Sequence, residues 1–431
     1  MSMTTTTDKP QVFQKTTMPN GLRVLTCEMP HTRSVSISIF VGVGSRYETD
    51  EEAGVSHFIE HLVFKGTESK PDPVQISGLI EGGGGVLNAS TEQELTVYWC
   101  KIAESHFSES LELLIDMLRN SLFEADSIEK ERMVVLEELA MIHDQPSARV
   151  DTMIDEMLWP GHPLGRDIGG TNESVSSITR DAMLRHLNAY YAPDNIVISI
   201  AGSISTEAVL EQVETLCGDW PRAKGNDWSP FTHEQSESQL RLEYRRTEQL
   251  HLSIALPGLD LHNPARYALD LLSVMLGEGM SSRLFVEVRE KRGLAYDVHS
   301  GVSHFQDTGA FAIIAGVDSK RVYEATSTIL EQVAEMWKPV PQAELDRARQ
   351  LVAGRIMLRM EDTRAVSGWM GSQEALMGRV LTVDEVVHNV RQVTGEEVAR
   401  VADDLLSTEK LNLALVGPCR GRKRLERLLH L

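Results

Sequence analysis

The segment 54–64 places two histidines and one glutamate within an apolar run, and this run limits what the chain can fold into. Its apolar residues recur with helical spacing, which predicts a short, buried helix. In such a helix His57 and His61 lie one turn apart on the same face, and Glu60 projects beside them. Two imidazoles in this arrangement can bind one metal ion, with the carboxylate in reach of a water molecule. The alternative is an amphipathic helix with two ordinary histidines and a solvated glutamate.

A third ligand decides between these interpretations, because a catalytic zinc site has three protein ligands and one open position. A second helical run, 131–140, contains three glutamates: Glu131, Glu137 and Glu138. Glu137 and Glu138 are adjacent, so either can be taken for the ligand. A closed structural zinc site would need a fourth protein ligand, and the sequence offers no obvious candidate.

These motifs resemble the M16 metallopeptidases, the pitrilysin-like inverzincins. The match is closest to the subfamily that includes the catalytic subunit of mitochondrial processing peptidase and its bacterial relatives. It consists of the H-x-x-E-H segment and, 77 positions after His61, Glu138 before an apolar leucine. The resemblance implies that His57, His61 and Glu138 bind one Zn²⁺ per chain, and that Glu60 is the general base that activates zinc-bound water. It also matches Glu131 to a further catalytic-site glutamate, which orients a histidine ligand.

Alternating apolar residues predict a strand over 34–40 and a hairpin over 86–100, which follows a run of four glycines. The glycines do not form a phosphate loop, since no Lys-Ser/Thr pair follows them. The resemblance implies that the strand with Asn88 and Ala89 lies beside the zinc and pairs with the substrate backbone. The alternative is a purely structural hairpin.

A helix followed by an apolar strand and a glycine occurs twice in the chain. The two strands end at Gly202 and Gly417, 215 residues apart. This repeat predicts an α+β fold of two related halves, and the resemblance implies a mainly antiparallel sheet packed with helices in each. We expect an N-terminal zinc-binding catalytic domain at 1–220 and a homologous C-terminal domain at 240–431, joined by a polar linker.

The second half contains no H-x-x-E-H motif, but its segment 281–296 resembles the C-terminal signature of the same family. The resemblance implies that Arg289 and Tyr296 bind the substrate carbonyl and stabilise the developing oxyanion, with Phe285 as a wall of the site. From the residues alone, Arg289 is an ordinary solvated helix charge and Tyr296 a core or interface aromatic.

Composition excludes several other classes of protein. The formal net charge of -21 argues against nucleic-acid binding. The segment 1–10 lacks an apolar signal region and arginine, and no apolar run approaches the length that spans a membrane. The four cysteines are widely spaced, which indicates neither a disulfide framework nor a thiolate zinc site. We therefore expect a cytoplasmic protein with no membrane or nucleic-acid partner.

The resemblance implies a zinc-dependent endopeptidase that hydrolyses peptides or unfolded precursor segments within an enclosed dimer cavity. Relatives of this length pair two chains, and this chain contains both the zinc motif and the Arg/Tyr motif. A homodimer is therefore the simplest expectation, and a heterodimer with a non-zinc paralogue is the alternative. An enclosed acidic cavity of this kind would favour short, unfolded and basic peptides. A different class of function is a catalytically silent subunit, as in the core proteins of respiratory complexes.

Overall fold

The computed structural model describes residues 13–431. The N-terminal segment 1–10, which we expected to carry no targeting signal, lies outside the described residues. Within them, the alternating residues of 34–41 form a strand, and the glycine run 82–85 leads into the predicted hairpin. The fold is α+β, as predicted, with two sheets that are each packed with helices.

The first sheet has six strands in the order β1-β2-β6-β3-β5-β4. Strands β2 and β6 are parallel, and the other neighbours are antiparallel. Strand β4 therefore forms one edge of this sheet. The strands are β1 Gln14–Thr17, β2 Arg23–Glu28, β3 Ser34–Val41, β4 Val86–Thr91, β5 Thr96–Ala103 and β6 Ile196–Gly202.

The second sheet has five strands in the order β7-β11-β8-β10-β9. Its first pair is parallel and the rest are antiparallel, so it repeats the pattern β2-β6-β3-β5-β4 of the first sheet. This repetition confirms the two related halves that the sequence predicts. The strands are β7 Gln239–Tyr244, β8 Gln249–Pro257, β9 Ala295–His304, β10 Gly309–Asp318 and β11 Asn412–Gly417.

The two repeated glycines have the same structural role. Gly202 and Gly417 end the equivalent strands β6 and β11 with φ angles of 144° and 151°, which side chains rarely allow. An added Cβ would lie 2.3 Å from the Ser34 carbonyl oxygen in the first case and 2.8 Å from Leu250 Cα in the second. Each glycine thus lets a central strand end against its neighbour.

The helices pack on these sheets. None in the described part of the chain is long and apolar enough to cross a lipid bilayer. They are α1 Val55–Leu62, α2 Pro73–Gly82, α3 Phe107–Arg119, α4 Ala125–Asp144, α5 Pro146–Leu158, α6 Asn172–Ser177, α7 Arg180–Tyr190, α8 Thr206–Cys217, α9 Arg266–Gly277, α10 Val322–Ala334, α11 Gln342–Arg359, α12 Thr363–Met377, α13 Val383–Gln392, α14 Gly395–Leu405 and α15 Arg422–Leu428.

The chain forms two compact units that do not follow the sequence halves throughout. The predicted domains 1–220 and 240–431 follow the sequence repeat. In the structure, one segment of each half belongs to the compact unit of the other half. One unit combines 13–135 and Ile168–Asp227 with Leu358–Leu381, and so contains α12. The other combines Leu136–Asp167, and so α5, with Trp228–Met357 and Thr382–Leu431.

Helix α12 packs on the first sheet through small and hydroxyl side chains. The hydroxyl of Ser36 lies 2.9 Å from that of Thr363, and the hydroxyl of Ser38 lies 2.8 Å from that of Ser367. Gly371 lets the helix approach Phe40, because an added Cβ would lie 2.1 Å from its ring. Helix α5 packs on β8 and β11 in the equivalent way. Such long-range packing is not visible in local periodicity.

Candidate metal centre and catalytic residues

Helix α1 is only 8 residues long. A helix this short is not stable alone, so its position depends on tertiary anchors. Val55, Phe58, Ile59 and Leu62 are buried on its apolar face. At its start, the Glu48 carboxylate accepts hydrogen bonds from the backbone N–H groups of Gly54 at 2.7 Å and Ser56 at 2.8 Å. This carboxylate accepts hydrogen bonds from N–H groups that a helix N-terminus leaves unpaired. Its negative charge also interacts favourably with the positive end of the helix dipole.

The structure brings His57 and His61 of α1 together with Glu138 of α4. One ligand atom from each lies within 4.8 Å of the others, and this is the group among residues 13–431 with suitable geometry for a metal ion. The two Nε2 atoms are 3.3 Å apart. Two nitrogens bound tetrahedrally to zinc at about 2.0–2.1 Å would be separated by about 3.3–3.4 Å. The nitrogen–oxygen donor set and this spacing therefore fit zinc. The neighbouring Glu137 is exposed.

The protonation of the histidines also fits metal binding. Burial, and then the nearby His61, lower the pKa of His57 to about 4, so its imidazole is neutral near pH 7. His61 Nδ1 lies 3.2 Å from Glu131 Oε2. Because a carboxylate only accepts hydrogen bonds, the proton of His61 resides on Nδ1 and Nε2 keeps its lone pair. The Nε2 atom of His61 can then act as a ligand, and the neutral imidazole of His57 also offers a ring nitrogen.

Glu131 also contacts a residue that sequence reasoning did not single out. Its Oε1 lies 2.7 Å from Lys65 Nζ, so the buried carboxylate bridges a lysine and His61. Lys65 follows His61 by four residues but lies beyond the end of α1 at Leu62. Helical spacing therefore gave no signal for this contact.

Glu60 lies between the two histidines in sequence and contacts the neighbouring sheet. Its Oε2 accepts a hydrogen bond of 2.6 Å from the Thr91 hydroxyl at the end of β4. Sequence reasoning named the strand of Thr91 but not this contact. The signal was the strand period of two, which puts Ala89 and Thr91 on one face.

Asn88 and Ala89 lie on the edge strand β4, which pairs only with β5 among the described residues. The Asn88 side-chain oxygen accepts a hydrogen bond of 2.8 Å from the Ala89 N–H. An edge strand presents backbone donors and acceptors that another extended chain can use. The asparagine side chain covers one such donor.

Phe285, Arg289 and Tyr296 form a stack in the second half. The Arg289 guanidinium carbon lies 4.8 Å from the Phe285 ring centre and 5.0 Å from that of Tyr296, which is the geometry of cation–π contacts. Phe285 and Arg289 belong to a π-helical segment, Phe285–Lys291. Such segments occur frequently at functional sites.

Tyr296 is positioned by an irregularity in its strand. Val317 pairs with Ala295 and Gly316 with Asp297, so Tyr296 is an extra residue in β9. A bulge of this kind changes the direction of a side chain, and Tyr296 is 76% exposed. In this half, α9 follows β8 as α1 follows β3, but α9 contains no histidine or glutamate.

Comparison with known sequences identifies both halves. The family described as "Insulinase (Peptidase family M16)" matches residues 23–172, and "Peptidase M16 inactive domain" matches residues 177–352. An uncharacterised zinc protease of Bacillus subtilis, YmxG, is 35% identical over 94% of this chain and 98% of its own length. An uncharacterised zinc protease of Streptomyces coelicolor is 34% identical over 95% of this chain and 90% of its own.

Solved structures share the fold. A protease from Helicobacter pylori has a TM-score of 0.89 at 22% identity, covering 95% of this chain and 100% of that chain. A chain of complex III2 from Candida albicans has a TM-score of 0.81 at 18% identity, covering 97% of this chain and 100% of that chain. At these identities the likeness concerns the fold alone. The sequence matches, at 34–35% identity over nearly the whole chain, establish the family. The chain belongs to the M16 family of peptidases.

Proposed function

We propose that this chain is a zinc-dependent endopeptidase that hydrolyses peptides or unfolded precursor segments. The observation that carries the proposal is the cluster of His57, His61 and Glu138, whose ligand atoms lie within 4.8 Å of one another. The relatives named zinc protease support the same chemistry. These three residues would hold the ion, with one position open to solvent and substrate.

When bound, zinc supplies Lewis acidity toward the scissile carbonyl and makes a water molecule more acidic. Glu60 accepts a proton from the attacking water on a carboxylate oxygen. It then delivers that proton to the nitrogen of the leaving amine as the C–N bond breaks. Glu131 holds the Nδ1 proton of His61, which fixes the ring orientation.

Arg289 and Tyr296 are proposed to stabilise the negative charge that develops on the carbonyl oxygen. A guanidinium and a phenol aimed at that oxygen act mainly in the transition state, where the charge exists. The stack with Phe285 holds the guanidinium plane and the tyrosine ring together before substrate binds.

The edge of β4 is the proposed site for the substrate backbone. An extended peptide can add to this edge as a further strand, with side chains alternating to either face. The Asn88 side chain would release the Ala89 N–H for this pairing, since its own hydrogen bond to that group uses the same donor. The net charge of -21 favours basic peptides over acidic ones.

The proposed assembly is a homodimer, because one chain contains both the zinc cluster and the Arg/Tyr stack. A heterodimer with a non-zinc paralogue is the alternative. The four cysteines are all free thiols, which supports a reducing, cytoplasmic compartment. Light scattering is expected to give about twice the chain mass of 48.0 kDa. A monomer at working concentration would contradict both assemblies.

The decisive experiment measures metal content together with cleavage of a mixed quenched-peptide library, with and without a chelator. We expect about one zinc per chain and endoproteolysis that the chelator abolishes. The Glu60→Gln variant is expected to keep its zinc and to lose at least about a hundredfold in kcat, because an amide cannot accept the proton.

Other results would reject the proposal in different ways. Stoichiometric zinc with near-wild-type turnover in Glu60→Gln would remove Glu60 as the base. Zinc without any cleavage would favour the alternative function, a catalytically silent subunit. Absence of zinc from protein prepared with zinc present would show that His57 and His61 are not metal ligands.

A further inference from the structure

The contact between Thr91 and Glu60 joins the proposed substrate strand to the proposed base. Thr91 is 9% exposed, and its Oγ1 donates to Glu60 Oε2 over 2.6 Å. We propose that Thr91 is a positioning residue, which holds the Glu60 carboxylate in the orientation that accepts a proton from water. This inference rests on the proposed function and extends it to a residue outside the metal ligands and the base.

The chemistry of the contact suits this role. A hydroxyl that donates to a carboxylate forms a short, charge-assisted bond, which is stronger than a neutral one. A glutamate side chain has several rotatable bonds and loses rotamer freedom when it is ordered. The bond to Oε2 restricts that freedom before the reaction begins.

Other contacts hold the end of β4 in place, so the position of Thr91 does not depend on its bond to Glu60. The turn after Thr91 is held by backbone bonds from Ser45 N to Glu92 O at 3.2 Å and from Arg46 N to Gln93 O at 2.8 Å. Gly44 allows this close approach, because an added Cβ would lie 2.1 Å from Glu92 O.

A buried ion pair strengthens the same attachment. Arg46 Nη1 lies 2.6 Å from Glu94 Oε1, and both side chains are almost fully buried. Glu48, two residues after Arg46, holds the start of α1 through Gly54 and Ser56. The segment 44–48 therefore ties the hairpin turn to the helix that contains Glu60, and the Thr91 hydroxyl makes a second connection.

The arrangement gives β4 two roles in one short stretch. Ala89 offers its backbone at the sheet edge where we propose that substrate pairs. Thr91, two residues later, orients the carboxylate that acts on the water. Because the strand is rigidly anchored beyond Thr91, a peptide that pairs with it is placed in a constant register relative to the base.

The test compares Thr91→Val, which keeps the shape but removes the hydroxyl, with Thr91→Ser, which keeps the hydroxyl. For Thr91→Val we expect kcat to fall about tenfold to a hundredfold, with KM and zinc content unchanged. Thr91→Ser should recover most of kcat. Thr26→Val is the matched control, since it also removes a buried hydroxyl, 3.0 Å from that of Thr206, in the same sheet. It should retain wild-type kcat.

Several outcomes would overturn the inference. They are an unchanged kcat in Thr91→Val, a raised KM with constant kcat, a loss of zinc, or no recovery in Thr91→Ser. Crystal structures of the zinc-loaded wild type and Thr91→Val supply a readout that does not need activity. We expect the Glu60 carboxylate to be displaced or to occupy more than one conformer in the variant, and an identical Glu60 would refute the inference. An inactive wild type would instead refute the proposed function.

Discussion

At the scale of single residues, the structure distinguishes two adjacent glutamates that the sequence alone does not: only one of them belongs to the metal cluster. Glu138 lies with the two histidines of α1, whereas Glu137 is exposed. On a helix, neighbouring residues point about 100° apart, so only one of them can face α1.

The matched variants Glu138→Gln and Glu137→Gln test this difference. We expect Glu138→Gln to weaken zinc binding by at least about a hundredfold, because a neutral amide replaces an anionic ligand. Glu137→Gln should bind zinc as the wild type does. Competition with a chromophoric chelator measures both affinities. Equal affinities, or the reverse order, would place the third ligand elsewhere.

His186 makes stability depend on pH. Its Nε2 lies 3.2 Å from the Ser56 hydroxyl, and burial lowers its pKa to about 4. The unfolded chain takes up this proton near pH about 6.5, so between these values it binds more protons than the native chain. The stabilising contribution is complete above about pH 6.5 and is lost as pH falls toward 4, by about 1.4 kcal/mol per pH unit.

Replacing this histidine should flatten the acid side of the stability profile. In His186→Gln, the difference in free energy of unfolding between pH 7 and pH 5 is expected to shrink by about 2 kcal/mol. Urea unfolding of the metal-free protein at both pH values measures it. The control is His31→Gln, at an exposed position, which should keep the wild-type difference. The same slope in His186→Gln and the wild type would show that another group is responsible.

At the scale of elements, two helical glycines have opposite roles. Gly371 in α12 allows contact with Phe40, whereas an added Cβ at Gly354 in α11 would meet nothing within 4 Å. Alanine favours a helix over glycine by about 1 kcal/mol when space is available. In a packed site, an extra methyl group costs about 1–3 kcal/mol through forced shifts.

The two alanine variants should therefore change stability in opposite directions. We expect Gly354→Ala to stabilise the protein by about 1 kcal/mol and Gly371→Ala to destabilise it by about 1–3 kcal/mol. Thermal unfolding, followed by circular dichroism, compares them with the wild type. A stabilised Gly371→Ala variant would mean that α12 does not pack against Phe40 so closely.

At the scale of the whole molecule, the compact units exchange segments between the sequence halves. The core of the first unit includes Val366 and Met370 of α12 beside Phe40, Val97 and Leu25. A fragment that ends at residue 220 lacks α12, so it exposes the face of the sheet that this helix covers. Exposed apolar surface of that kind promotes aggregation.

A fragment of residues 1–220 is thus expected to be poorly folded, with weak protection of its amide protons. The full chain is the control, and the separate segment 358–381, added as a peptide, should increase protection of β3 and β6. Hydrogen exchange measures both. If the fragment is well protected without the peptide, the first sheet does not need α12 to fold, and the prediction is wrong.

Much of the candidate site was predictable because its signals are local. The four-residue spacing of His57 and His61, the helical run with Glu138 and the hairpin of Asn88 depend on short-range periodicity. The two halves of the fold follow instead from a repeat, in which similar segments end at Gly202 and Gly417. The sequence also supports the family, which the comparisons establish.

The tertiary structure alone decided the contacts between elements distant in sequence. It places the Thr91 hydroxyl on Glu60, Lys65 beside Glu131, and the Glu48 carboxylate at the start of α1. It also assigns α5 and α12 to sheets of the opposite halves. Local spacing determines which face of an element is apolar or polar, whereas the partner of that face is selected by packing over the whole chain. By itself, the sequence determined the chemical groups and the elements that carry them, and packing determined which groups meet.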